Sequence, residues 1–152
     1  ATAEASAGAG EGSTASGGPD AGEAGGGSDG WGGACVAGLG GGVRPGWRRG
    51  RGQVWVRTDV GLVGGEQTAP LAGYVGRVDT ANGIAVRRDP REMLFPNTDL
   101  TIHLMRTPEG GWLGLDTSVN FGSGGIGITS SVLHDESGPV GVAAQTLTLR
   151  TR

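Results

Sequence analysis

Phe95-Pro-Asn-Thr-Asp-Leu-Thr-Ile-His-Leu-Met-Arg106 opens the part of the chain that decides the fold. Three further runs follow: Gly111-Trp-Leu-Gly-Leu-Asp-Thr-Ser-Val-Asn-Phe121, Gly125-Ile-Gly-Ile-Thr-Ser-Ser-Val-Leu-His-Asp135 and Gly138-Pro-Val-Gly-Val-Ala-Ala-Gln-Thr-Leu-Thr-Leu-Arg150. Each is rich in β-branched and apolar residues, and short polar or Gly-rich breaks separate them. That pattern predicts an antiparallel meander of four strands. Leu100, Ile102 and Leu104 share one face of the first strand. In the last, Ala143, Leu147 and Leu149 share a face with Gln145, and Val142, Ala144, Thr146 and Thr148 take the other.

Upstream, Val54 to Val63 reads as a strand, with Val54, Val56, Val60 and Leu62 on one parity. Gly64-Gly65 ends it. Thr68-Ala69-Pro70 resembles a helix start, with Thr68 as cap and Pro in the first turn. Leu71, Tyr74, Val75 and Val78 then recur at helical spacing, which predicts a helix over 70–81 stopped by Asn82-Gly83. Gly73 and Gly76 lower its propensity by about 1 kcal/mol each. They make sense if a sheet or second helix closes on the helix backbone. Ile84 to Met93 is a polar connection broken at Asp89-Pro90. One strand, one helix and four antiparallel strands make an α+β layout, a helix against a curved sheet.

Composition divides the chain of 152 residues. About half of its 34 glycines precede Arg51, in a stretch with no Ile or Phe and one Leu, Leu39. Such a segment cannot offset the entropy of its own ordering. Residues 1–50 therefore read as a disordered Gly/Ala-rich segment, either a linker or tail or a stretch foreign to the natural protein. Residues 51–152 read as the folded domain.

The net charge of −3 and the lack of a basic patch with interleaved aromatics argue against nucleic acid. Arg44, Arg48, Arg49 and Arg51 around Trp47 read as a solvated linker. Cys35 has no partner for an internal disulfide. No apolar run of about 18 residues exists to span a membrane. Neither a basic n-region nor an apolar h-region opens the sequence, so a cytoplasmic location is expected.

Gly122-Ser-Gly-Gly-Ile-Gly127 fits G-x-G-x-x-G but precedes a strand former rather than a helix, so it reads as a hairpin turn. His103 and His134 stand at no zinc-ligand spacing, and no Gly-x-Ser-x-Gly elbow is present. The polar residues in unusual company are Gln145, on an apolar strand face; Asp79, at the unfavourable end of a helix dipole; and Asn97 and Thr98, at the mouth of a strand.

The four runs, most specifically Phe95 to Arg106, Gly111 to Asp116 and Ser131 through Gly138-Pro-Val-Gly-Val-Ala-Ala-Gln-Thr-Leu147, resemble the C-terminal hotdog of TesB-like (type II) acyl-CoA thioesterases. The resemblance covers about residues 53–152, and residues 1–50 carry none of its motifs. It implies a single hotdog, the C-terminal half of a double one, that hydrolyses acyl-CoA in fatty-acid metabolism without metal or cofactor. The family's catalytic Asp and Gln correspond to Asp79 and Gln145. Its Thr or Ser, two residues before an Asp, lands on Asn97, with Asp99 as that Asp. This is a departure from the pattern, and Thr98 would replace Asn97 only with a register shifted by one. The resemblance implies acyl-CoA as substrate, and a homo-oligomer, at least a dimer, or a second hotdog to supply the missing half. A non-catalytic or truncated half serving assembly is the alternative. An enoyl-CoA hydratase is a third reading, but Asp79 is followed by Thr-Ala-Asn-Gly-Ile with none of that chemistry's His.

Overall fold

The computed structural model describes residues 23–24, 40–43 and 49–152. Strands β6 (Leu113–Phe121), β7 (Ile126–Asp135) and β8 (Gly138–Thr148) form a meander. Its turns are made where the sequence has glycine. Gly125 takes a φ of 76° as Gly122 N–H closes on the Ile126 carbonyl at 2.8 Å, so the G-x-G-x-x-G stretch is the β6–β7 hairpin. Gly138, with a φ of 120°, turns β7 into β8.

The first of the four expected strands departs from the meander. β5 (Thr101–Leu104) pairs with β8, not with β6. β3 (Arg51–Arg57) takes the place beside β6. With β1 (Glu23–Ala24) and β2 (Gly40–Val43), the sheet runs β1-β2-β3-β6-β7-β8-β5, all antiparallel. β5 is therefore an edge strand. A separate pair joins β4 (Met93–Leu94) to β9 (Arg150–Thr151). Most of the expected disordered segment lies outside the described residues, as do Cys35, Arg44, Trp47 and Arg48.

Helix α1 (Pro70–Val78) packs across one face of the sheet. Tyr74 and Val78 are buried with Val54, Val56, Leu113, Leu115, Leu133, Val140 and Ala143. Ile102 and Leu100 close this core, while Leu104 at the edge is exposed. A smaller cluster of Ala85, Phe95, Val119 and Leu147 closes the other end. One helix on a curved antiparallel sheet is the single-hotdog layout.

Several local expectations are corrected. β3 stops at Arg57, where its ladder with β6 runs out at the start of that strand, Leu113. Val60, Leu62 and Val63 lie in an exposed loop instead. Nor is β3 a half-buried strand: Trp55, on the opposite parity to Val54 and Val56, is buried as well. Thr68 does not cap α1. Its hydroxyl accepts the Leu62 N–H at 2.9 Å, and Ala69 holds the cap position. The group that approaches Gly73 and Gly76 is this loop rather than a sheet or helix. A Cβ on Gly73 would stand 3.3 Å from the Thr68 methyl, and one on Gly76 would stand 3.2 Å from Leu62 Cδ2.

The expected single helix over 70–81 is two. The Thr80 N–H and hydroxyl both bond to the Arg77 carbonyl, at 3.1 and 2.8 Å, and this tight closure ends α1. α2 (Ala81–Ile84) follows, with Asn82 and Gly83 inside it rather than after it. Asp79 stands at the break.

Candidate active site

Three side chains from three parts of the chain meet at the end of α1. Asp79 is the C-cap residue of that helix. Gln145 comes from β8, on the helix-facing side of the sheet between Ala143 and Leu147. Asn97 comes from the segment leading into β5. Asn97 Nδ2 donates to Asp79 Oδ1 at 2.8 Å, and Gln145 Nε2 donates to the same oxygen at 2.9 Å. Oδ2 receives no hydrogen bond from the described residues. Asp79 is exposed, whereas Gln145 is buried. Two amide donors offset the mild penalty of a carboxylate at a helix C-terminus.

The orientation of Asn97 depends on a one-residue irregularity. Along β5, Leu100 and Ile102 face the core, so an unbroken strand would turn Thr98 inward and Asn97 outward. Thr101 pairs with Ala144, but Asn97 pairs with Leu147, which shifts the register by one across residues 98–100. The chain bulges there, and Asn97 turns to the helix side while Thr98 turns away. Thr98 bonds instead to the Thr146 carbonyl, through its N–H at 2.9 Å and its hydroxyl at 3.3 Å.

Asp99 fills the bulge. Its Oδ1 accepts the Thr146 N–H at 2.6 Å, in place of a ladder carbonyl, and its Oδ2 accepts the Thr146 hydroxyl at 2.9 Å. The Thr146 N–H, and after it the hydroxyl, hold the Asp99 carboxyl below the usual carboxylate range. Its own carbonyl accepts from Asn97 Nδ2 at 3.3 Å. Asn82, from α2, reaches Asn97 Oδ1 at 3.5 Å. In the sequence Asp99 marks the family pattern that places Asn97, without a contact of its own, and Asn82 reads as a helix stop. The spacing of Asn82 from Asp79, one helical turn, was the available signal.

The two histidines stand apart from this centre. His103 lies on β5, on the sheet face away from α1. His134 is buried, its Nε2 has no partner among the described residues, and burial lowers its pKa. The Tyr74 hydroxyl donates to the His134 carbonyl at 2.9 Å, tying α1 to β7. Arg51, expected in a solvated linker, is the first residue of β3, with its guanidinium 3.9 Å from Asp116. Among the described residues, no helix is long and apolar enough to cross a membrane.

The model of the acyl-CoA thioesterase C-terminal domain matches residues 15–149. The chain belongs to that family. The match reaches back well into the first fifty residues, where no motif of the family had been legible. Among solved structures, this thioesterase-family domain is similar to an acyl-CoA thioesterase II, TesB2, from Mycobacterium marinum, at 19% identity and a TM-score of 0.52 over 77% of this chain and 51% of that one. It is also similar to a Bacillus halodurans protein crystallised with CoA, at 15% identity and a TM-score of 0.49 over 71% of each chain. A Pseudomonas aeruginosa protein described as a probable thioesterase matches at 17% identity and a TM-score of 0.47, over 74% of this chain and 83% of that one. No curated protein matches the sequence. The thioesterase-family domain spans about half the length of TesB2.

Proposed function

We propose that this domain hydrolyses acyl-CoA thioesters to free acid and CoA, with Asp79, Asn97 and Gln145 orienting the attacking water. The observation that carries the reading is the shared acceptor: both amides donate to Asp79 Oδ1, which leaves Oδ2 to take a water. The water oxygen attacks the thioester carbonyl carbon as its proton passes to Asp79 Oδ2. Asn97 and Gln145 fix the carboxylate, and so the water, in near-attack geometry. Backbone N–H groups stabilise the oxyanion that forms. Its collapse breaks the C–S bond, and Asp79 returns the proton to the CoA thiolate. Asn97 supplies through its amide the donor that a Thr or Ser hydroxyl supplies in the family's pattern.

The exposure of Asp79 beside the β5 edge supports a second element of the reading. Among the described residues nothing pairs with the outer edge of β5 or covers Asp79, and another hotdog, from a second copy or a separate half, would enclose the acyl chain there. The same exposure favours as second reading a hotdog half that serves assembly only.

The test is release of free thiol from a panel of acyl-CoAs of short to long chain, with the acid product identified and the oligomeric state measured by sedimentation. A substrate-free blank corrects for Cys35. Turnover by an oligomer supports the hydrolase. Folded protein without turnover on any chain length favours the assembly half.

A further inference from the structure

The sheet face beneath α1 is apolar except along one track. Thr117, Thr129, Ser131 and Gln145 lie on it, all buried. Strand register sets Ser131 opposite Thr117 and Gln145 opposite Thr129. The first pair satisfies itself, hydroxyl to hydroxyl at 2.8 Å. The second does not: Gln145 Oε1 and Thr129 Oγ1 are both fully enclosed and neither has a partner among the described residues.

Buried polar atoms without a partner are rare because the water they gave up is not replaced. Two such atoms on directly opposed residues are rarer. Side chains opposed across an antiparallel pair have Cβ atoms about 4.5–5.5 Å apart, close enough for one small molecule to touch both. The chemistry is also complementary. Gln145 has its Nε2 turned to Asp79, so Oε1 is the end left toward the core and needs a donor. Thr129 offers a hydroxyl that both donates and accepts.

We propose that one buried water bridges Gln145 Oε1 and Thr129 Oγ1, and that Thr129 is thereby a positioning residue for the Asp79 centre. The water donates one hydrogen to Oε1 and exchanges its second hydrogen bond with the Thr129 hydroxyl. Held at both ends, the Gln145 amide cannot turn over. A turned amide would set Oε1 against Asp79 Oδ1, acceptor against acceptor, and release the carboxylate. The water site stands on geometry alone. Its consequence for turnover rests on the hydrolase reading.

Thr129→Val keeps the shape and removes the hydroxyl, and Thr129→Ser restores the hydroxyl. Two readouts are needed: kcat and KM for acyl-CoA hydrolysis, and magnetisation transfer from long-lived internal water to the Gln145 side-chain amide by NMR. The expected result is a water signal in the parent and in Thr129→Ser that vanishes in Thr129→Val. With it, kcat falls about tenfold in Thr129→Val at unchanged KM and recovers in Thr129→Ser. No internal water at the Gln145 amide of the parent overturns the site. Water lost in Thr129→Val with kcat at the parent level overturns the positioning role. A parent that holds the water yet turns over no acyl-CoA upholds the site and defeats the hydrolase reading instead.

Discussion

Gln145 Nε2 lies 2.9 Å from Asp79 Oδ1, a contact that joins the last long strand to the end of the helix across 66 residues of chain. Gln145 is held at 1% exposure on a strand face whose neighbours are apolar. It is the fixed member of the centre, and Asp79 is the open one. An amide enclosed by the core can orient a carboxylate that still meets solvent or substrate.

Asn97 is predicted to be replaceable by a hydroxyl and not by a methyl. Asn97→Thr and Asn97→Ser should keep kcat within a few-fold, since either still offers a donor to Asp79. Asn97→Ala should lower kcat by 10-fold or more, in line with the loss of one positioned donor. Steady-state kinetics on the best acyl-CoA checks this.

Asp99 is predicted to matter through Asn97. Asp99→Ala leaves the Thr146 N–H without its acceptor and frees the bulge. It should lower kcat with little change in Tm, because the segment is exposed. The Asp99 carboxyl is held below its ordinary pKa, so the charged clamp is fully present above the unfolded carboxylate range. It is lost as pH falls through the lower folded value. The parent's acid limb should accordingly shift in Asp99→Asn, which a pH–rate profile measures.

The ion pair of Arg106 with Asp135 is predicted to dominate acid stability. Asp135 is 1% exposed and accepts from Arg106 through both oxygens, and from the Glu109 and Ser137 N–H groups at 2.7 and 2.9 Å. Burial alone would raise its pKa, but these bonds outweigh it and hold the group at about 2. A depressed carboxylate adds stability above its unfolded pKa and loses it as pH falls toward 2. This linkage is on the order of 2 kcal/mol. Arg106→Met would leave the buried Asp135 carboxylate without its counter-charge and should destabilise the domain at pH 7. Urea unfolding at pH 7 and pH 3 reads both effects, and the variant's loss should shrink at the lower pH.

Tyr74→Phe should remove one buried hydrogen bond, to the His134 carbonyl, and cost about 1 kcal/mol. For a domain of this size that lowers Tm by about 4–8 °C. Activity per folded molecule should be unchanged, which separates this contact from those around Asp79.

Much of the fold was legible because periodicity reports burial. β6, β7 and β8 fall where alternation placed strands, and Gln145 could be singled out as polar among Ala143, Leu147 and Leu149. The pairing of β5 with β8 was not legible, because pairing order is a property of the whole sheet rather than of any one strand. The strand parity that ran from Val54 to Leu62 overran the ladder, since the end of β3 is set by where β6 begins. The orientation of Asn97 needed the bulge at residues 98–100, and a bulge leaves no mark in hydrophobic alternation. Its trace in sequence is Asp99, a side chain that stands in for a missing ladder partner.

Thiol release from acyl-CoA by the parent, Asp79→Asn and Gln145→Ala, with each variant's fold verified by circular dichroism, decides whether Asp79 acts on the water. The expected kcat falls by 100-fold or more in Asp79→Asn, as for loss of a general base, and by 10-fold or more in Gln145→Ala. Parent-like turnover in Asp79→Asn would contradict that role and place the chemistry elsewhere in the molecule.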